Sequence, residues 1–110
     1  MTIEIESPRD AVDASLTRMM CGRISEMHNR LPGISGARIS FREDATPFDR
    51  NHFICEIAVD IFGSSFAVSR KGLSYELAAG EALTFADEKV DELMKREHEP
   101  PDTQTSTVKV

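Results

Sequence analysis

The chain has 110 residues, of which 40% are hydrophobic and 29% charged, and its formal net charge is −6. This composition fits one globular domain with a small core, and no apolar run reaches the roughly 18 residues that a membrane span needs. The first residues are acidic where a secretory signal is basic, so we expect a cytoplasmic protein. The two cysteines, Cys21 and Cys55, are too few for a disulfide framework and predict buried free thiols.

The first third of the chain predicts a strand followed by a helix. Residues 2–6 alternate between apolar isoleucines and polar or acidic side chains, as a short strand with one buried face does. Ser7-Pro8 is a typical helix start, because serine caps a helix and proline is tolerated in its first turn. Apolar residues then recur at helical spacing until Pro32-Gly33, which cannot continue the helix.

The middle of the chain predicts three further strands. Residues 37–42 alternate between the two faces of a strand, and the polar residues 43–52 predict a mobile loop. The alternation returns over residues 53–62, stops at a short turn over residues 63–65, and continues at residues 66–68. We interpret the last two strands as a hairpin.

The last helix should begin after Ser74, which is a typical N-cap residue, and should end before Pro100-Pro101. The polar residues that follow have nothing to bury, so we predict one domain over residues 1–99 and a disordered tail over residues 100–110. The order β-α-β-β-β-α predicts an α+β fold, a four-stranded sheet with both helices packed on one face. The predicted core is Ile5, Leu16, Ile24, Ile39, Ile57, Val59, Phe66, Val68, Ala79, Ala82, Ala86 and Val90.

The excess negative charge is concentrated on the last helix. Residues 73–99 hold eight acidic and three basic residues (net −5), whereas residues 1–72 hold ten and nine (net −1). An acidic helix face is by default a solvated one. The i,i+4 pairs Asp91–Lys95 and Glu92–Arg96 would each add only about 0.2–0.5 kcal/mol, so helix stability does not account for this pattern.

The order and spacing of these elements resemble those of the ribosome hibernation-promoting factors, also called ribosome-associated inhibitor proteins. The resemblance covers roughly residues 1–95. It rests on the apolar spacing of the first helix and second strand, on the segment from Phe66 to Gly72 at the place of the family's last strand, and on the small residues of the last helix. This chain would be a divergent member.

The resemblance implies a non-enzymatic, cofactor-free regulator of translation, active in the stress response, that binds RNA and proteins of the small ribosomal subunit. Such binding needs a basic surface, because each phosphate contact releases counterions. The basic residues available for it are Arg23, Arg30, Arg38, Arg42, Arg70 and Lys71. On the last helix, positions that are basic in the family fall on Phe85, Glu88 and Glu92. We therefore expect weaker binding, with a shallower salt dependence, than in a typical family member.

The residues leave two other interpretations open. The arginines of the sheet can pair across strands with the acidic residues Glu4, Glu6, Glu56 or Asp60. The acidic helix can instead dock a basic protein partner through Glu81, Glu88, Asp91 and Glu92. An enzyme or a metal site is not expected, because the three histidines are scattered and no ligand or nucleophile motif is present.

Overall fold

The computed structural model describes residues 1–8, 12–44 and 53–98, with side chains as far as residue 95. The elements are β1 Thr2–Glu6, α1 Ala14–Arg30, β2 Ile34–Glu43, β3 Phe53–Ile61, β4 Ser64–Gly72 and α2 Tyr75–His98. This order and the α+β class confirm the prediction. The predicted tail and most of the predicted loop over residues 43–52 lie outside the described residues, and β2 continues through Glu43.

The four strands form one mixed sheet in the order β1-β2-β3-β4. β1 runs parallel to β2, whereas the β2–β3 and β3–β4 pairs are antiparallel. One face of the sheet packs against both helices in a single apolar core, with α2 lying over β3 and β4. The other face carries the alternate side chains of each strand, and we call it the open sheet face.

The predicted core is confirmed, with lower burial at the edges of the sheet. The helix and central-strand members are buried, whereas Ile5, Phe66 and Val68 are half-buried because β1 and β4 are edge strands. The inward face of α2 is built largely from alanines, and small side chains let the helix axis lie close to the sheet. Cys55 is buried as predicted, whereas Cys21 is only half-buried.

The first helix begins later than the prediction at Ser7-Pro8, which was wrong. Its N-cap is Asp13, whose Oδ1 accepts a hydrogen bond from the Leu16 amide at 2.8 Å. A carboxylate at this position satisfies one of the free N–H groups of the first turn and interacts favourably with the helix dipole. Val12 precedes the cap and still packs against the core.

The hairpin turn also differs from the prediction, which placed it at residues 63–65. The two turn residues are Phe62 and Gly63, with φ values of 50° and 78°. Positive φ at both positions is the requirement of the type I′ turn, whose twist matches that of paired strands. The Phe62 ring lies against Gly33, where any side chain would collide with it, and the Phe62 amide donates to the Gly33 carbonyl at 3.2 Å.

The start of α2 is as predicted. The Ser74 hydroxyl accepts a hydrogen bond from the Leu77 amide at 3.1 Å, which makes Ser74 the N-cap. In the part of the chain that the structure describes, neither helix is long and apolar enough to cross a membrane.

Candidate functional site

Two of the predicted RNA-binding arginines lie in a cluster of ion pairs between the helices. Arg23 Nη2 lies 2.5 Å from Asp87 Oδ2, and Arg30 Nη2 lies 2.6 Å from Asp87 Oδ1. Arg30 Nη1 lies 2.6 Å from Asp91 Oδ1. The arginines are two helical turns apart on α1, and the aspartates are one turn apart on α2, so each pair faces the other helix. We call these four residues the interhelical cluster.

The interhelical cluster changes the role expected of α1. Arg23 and Arg30 are half-exposed, with 36% and 38% of their side-chain surfaces accessible, but their charges are balanced by carboxylates of the same chain. A phosphate would have to displace those carboxylates before it could bind either guanidinium. Asp91 pairs with Arg30 of the other helix and not, as predicted, with Lys95 of its own.

On the open sheet face, Arg38 pairs across strands with Glu4, as one of the open interpretations predicted. The two residues are partners in the parallel β1–β2 register, and Arg38 Nε lies 3.4 Å from Glu4 Oε2. Both side chains are about 60% exposed. At this separation and exposure the pair is weak, since exposed ion pairs typically contribute about 0.2–1 kcal/mol or nothing measurable.

Arg42 and Lys71 lie further along the same open sheet face. They stand on either side of Ile54 in the register of β2, β3 and β4. Lys71 Nζ is 3.1 Å from Asp44 Oδ2. No acidic side chain of the described residues lies within ion-pair distance of Arg42. Arg38 and Arg42 are therefore neighbouring guanidinium groups of this face; Arg38 has one weak ion pair, and Arg42 has none with the described residues.

Arg70 lies on the opposite face of the sheet from Lys71, because adjacent residues of a strand point in opposite directions. Its guanidinium carbon sits 3.5 Å from the centre of the Phe85 ring on α2, which is a cation–π contact. The six predicted basic residues thus form three separate groups: the interhelical cluster, the open sheet face and the Arg70–Phe85 stack. The structure does not bring them together into one patch.

The acidic residues of α2 that were proposed for protein docking also divide into groups. Asp91 belongs to the interhelical cluster, and Glu92 Oε2 lies 3.9 Å from Lys89 Nζ. Glu81 and Glu88 are exposed, and among the described residues no basic side chain lies within ion-pair distance of either. The sequence analysis did not single out Asp87; its spacing of four residues from Asp91 places both on one side of α2, but only the structure shows that this side faces the arginines.

The nucleophiles and metal-binding side chains form no reactive site in the described part of the chain. Burial, and to a smaller extent the carboxylate of Glu56, raise the pKa of the Cys55 thiol to about 12. The thiol therefore stays protonated at neutral pH and is a poor nucleophile. His28 Nδ1 lies 2.9 Å from the Ile34 carbonyl oxygen and links α1 to the start of β2. Among the described residues, no three histidine, cysteine or acidic side chains are placed to share a metal ion.

Solved structures with this fold define an α+β domain of six elements. The N-terminal domain of Protein Y from Thermus thermophilus matches with a TM-score of 0.69 at 14% identity, covering 84% of this chain and 99% of that one. A ribosomal subunit interface protein from Coxiella burnetii matches with a TM-score of 0.63 at 12% identity, covering 84% of this chain and 97% of that one. At these identities the likeness shows the fold and assigns no residue. No protein-family model matches the sequence. No curated protein matches it either.

Proposed function

We propose that this chain is a ribosome-associated regulator of translation that binds the small ribosomal subunit in the cytoplasm, without catalysis and without a cofactor. The observation that carries the proposal is the shared fold. The match extends over nearly the whole of two other chains, one of which is a ribosomal subunit interface protein. The resemblance of the sequence pattern to hibernation-promoting factors supports the same function.

The open sheet face is the surface that we propose for the RNA contact. Arg38 and Arg42 are four residues apart on β2, so their side chains leave the same face about 13 Å apart at roughly 3.3 Å per residue. The weak pair with Glu4 holds Arg38 only loosely, and a phosphate makes a stronger, charge-assisted contact with guanidinium. The arginines of α1 do not enter this surface, because Asp87 and Asp91 already bind them.

Co-sedimentation with purified small subunits over a series of salt concentrations tests the proposal. Two phosphate contacts predict a slope of log affinity against log salt of about −1.4 on single strands to about −1.8 on duplexes. Replacing both Arg38 and Arg42 by alanine should remove most of the binding and flatten this slope. The matched control is Arg18→Ala, which removes an exposed cation of α1 outside the interhelical cluster and should leave binding nearly unchanged.

Two outcomes would contradict the proposal at different levels. If the parent protein does not sediment with small subunits even at low salt, the proposed function is wrong. If the parent protein binds and the Arg38/Arg42 variant binds equally well, the function stands and the assignment to the open sheet face is wrong.

A further inference from the structure

The outer face of α2 carries an apolar groove that faces away from the sheet. Leu77, Gly80, Thr84 and Phe85 form its floor and walls, and its volume is about 320 Å³. Leu77 is 56% exposed and Phe85 is 38% exposed, although both are large apolar residues. Leu73, which precedes the N-cap Ser74, is also exposed but lines a separate depression next to Leu16. Exposed apolar side chains that lie next to one another mark interaction sites more often than isolated ones do.

Gly80 is the residue that makes this surface a groove. It lies inside α2, and a Cβ added there would meet no atom within 4 Å, so packing within the described residues does not require glycine. A glycine in a helix costs about 0.5–1 kcal/mol relative to alanine. Its absent side chain leaves a depression between Leu77 and Thr84 into which a side chain of another molecule can fit.

The charges around the groove separate the acidic residues of α2 into two sets. Asp87 and Asp91 face α1 and are balanced by its arginines. Glu76 and Glu81 line the groove, and Glu88 lies two turns beyond Glu81 on the same side of the helix. Among the described residues, no basic side chain lies within ion-pair distance of these three glutamates. The groove is therefore apolar at its floor, has glutamates without ion-pair partners among the described residues along its rim, and is bordered at Phe85 by the stacked guanidinium of Arg70.

We propose that the outer face of α2 binds a basic amphipathic helix of a protein partner. Apolar residues spaced at i, i+3 and i+4 would cover Leu77 and Phe85, and one of them would occupy the depression at Gly80. Lysine or arginine side chains on the flanks of that helix would reach the glutamates of the rim. Glu81 and Glu88 are about 10.5 Å apart along the axis, which matches cations spaced seven residues apart.

The charge of the groove favours a basic amphipathic helix over RNA, a second copy of this chain or a neutral peptide. RNA would bring phosphates against uncompensated carboxylates, and a second copy of this chain would place one acidic rim against another. A neutral peptide would cover the apolar floor but leave the glutamates without counter-charges. Only a partner that is both basic and amphipathic covers the apolar floor and also places positive charges next to the glutamates of the rim. The proposal does not rest on ribosome binding, since the groove and the open sheet face lie on opposite sides of the domain.

The probe for the test is a synthetic leucine–lysine peptide of about 18 residues, five helical turns, with its leucines on one helical face. A peptide of the same composition with a scrambled order controls for charge alone. Titration of the isotope-labelled full chain, followed by backbone amide NMR, reports both the affinity and the residues that the peptide contacts. We expect shift changes concentrated at residues 76–88, and weaker binding as salt is raised.

Two variants distinguish the contribution of the groove floor to peptide binding from that of the rim. Gly80→Gln fills the depression and should weaken peptide binding at least tenfold without changing its salt dependence. Gly22→Gln is the matched control, because it places the same residue at a helix glycine of α1 whose added Cβ also meets nothing. Replacing both Glu81 and Glu88 by glutamine should weaken binding and flatten its salt dependence.

Several results would overturn the inference. These are the absence of binding at low salt, shift changes outside residues 76–88, equal binding of the scrambled peptide, and unchanged binding by Gly80→Gln. Concentration-dependent line broadening of the free chain at these residues would identify a second copy as the occupant and would also overturn it. Failure of the parent to sediment with small subunits would contradict the proposed function alone, so the two proposals can fail separately.

Discussion

Replacing Asp87 by asparagine tests whether α2 neutralises the arginines of α1. The substitution keeps the size of the side chain and removes the charge that binds both Arg23 and Arg30. These side chains are about one-third exposed, so after allowance for solvent screening each pair contributes about 0.2–1 kcal/mol. Arg30 keeps its contact with Asp91. We therefore expect the free energy of unfolding to fall by about 1 kcal/mol, and by less at high salt.

The same substitution should act in the opposite direction on RNA binding. Once Asp87 is neutral, no carboxylate of the described residues remains within ion-pair distance of Arg23. Arg23 lies on the helix side of the sheet, so its released guanidinium would add a phosphate contact on a second surface, apart from the open sheet face, and we expect it to tighten the proposed binding to the small subunit. One additional contact should steepen the slope of log affinity against log salt by about 0.7 on single strands to about 0.9 on duplexes. Lower stability together with higher affinity is the signature of a released arginine.

Urea denaturation at low and high salt measures the first effect, and co-sedimentation over a salt series measures the second. Glu26→Gln is the control, because it removes one carboxylate from an exposed position of α1 that has no ion pair among the described residues. It should change stability little and leave the salt slope nearly unchanged. If the Asp87 variant is as stable as the parent and binds with the same slope, the arginines are not held as the structure indicates. If both variants steepen the slope of log affinity against log salt equally, the change in net charge alone accounts for the effect on binding.

Three further predictions concern the stability of the fold. An added Cβ at Gly72 would lie 2.7 Å from the backbone nitrogen of Ala78, so Gly72→Ala should lower the melting temperature. At Gly80 an added Cβ would meet no atom within 4 Å, so Gly80→Ala should raise the free energy of unfolding by about 0.5–1 kcal/mol. Ala82 is fully buried, so Ala82→Glu should cost several kcal/mol through overpacking and an unpaired charge, and an unchanged urea midpoint would contradict the packing of α2. Burial raises the pKa of Cys55 to about 12 from its ordinary value of 9.0. The contribution of this thiol to the free energy of unfolding is therefore constant below about pH 9 and is lost as the pH rises towards 12. The loss is at most about 1.4 kcal/mol per pH unit. Denaturation on both sides of pH 9 should show a steeper loss of stability in the parent than in Cys55→Ala, which keeps the contribution of Tyr75, whose pKa burial also raises.

Local patterns in the sequence were sufficient to predict the helices, the strands and the core residues. Alternation identified all four strands, and the helical repeat identified both buried helix faces, because burial of one face imposes those periods. The start of α1 was mispredicted because Ser7 and Asp13 are both acceptable caps, and the structure has Asp13 in the capping position. The turn was misplaced because a phenylalanine with positive φ is rare, and its cause is the distant contact of Phe62 with Gly33.

The candidate site could be predicted only in part, because it depends on which charges meet in space. Sequence places Arg23 and Arg30 on one side of α1 and several acids on α2, but it does not give the rotation of one helix relative to the other. That rotation makes Asp87 a partner of both arginines and leaves Glu81 exposed. Arg70 and Lys71 are adjacent in sequence, yet their alternation on β4 sends them to opposite faces.

A net charge of −6 does not by itself argue against an RNA-binding surface on this chain. Part of the negative charge of α2 is balanced by the arginines of α1, and Glu76, Glu81 and Glu88 lie on the side of the helix that faces away from the sheet. A helix about 10 Å in diameter and the sheet beneath it separate those glutamates from the open sheet face. That distance exceeds the Debye length of about 8 Å at physiological ionic strength, so their repulsion is largely screened there. The charge distribution thus distinguishes two surfaces. On the open sheet face Arg38 and Arg42 stand among the exposed carboxylates of Glu4, Glu6, Glu56 and Asp60, and on α2 an apolar groove is lined by glutamates.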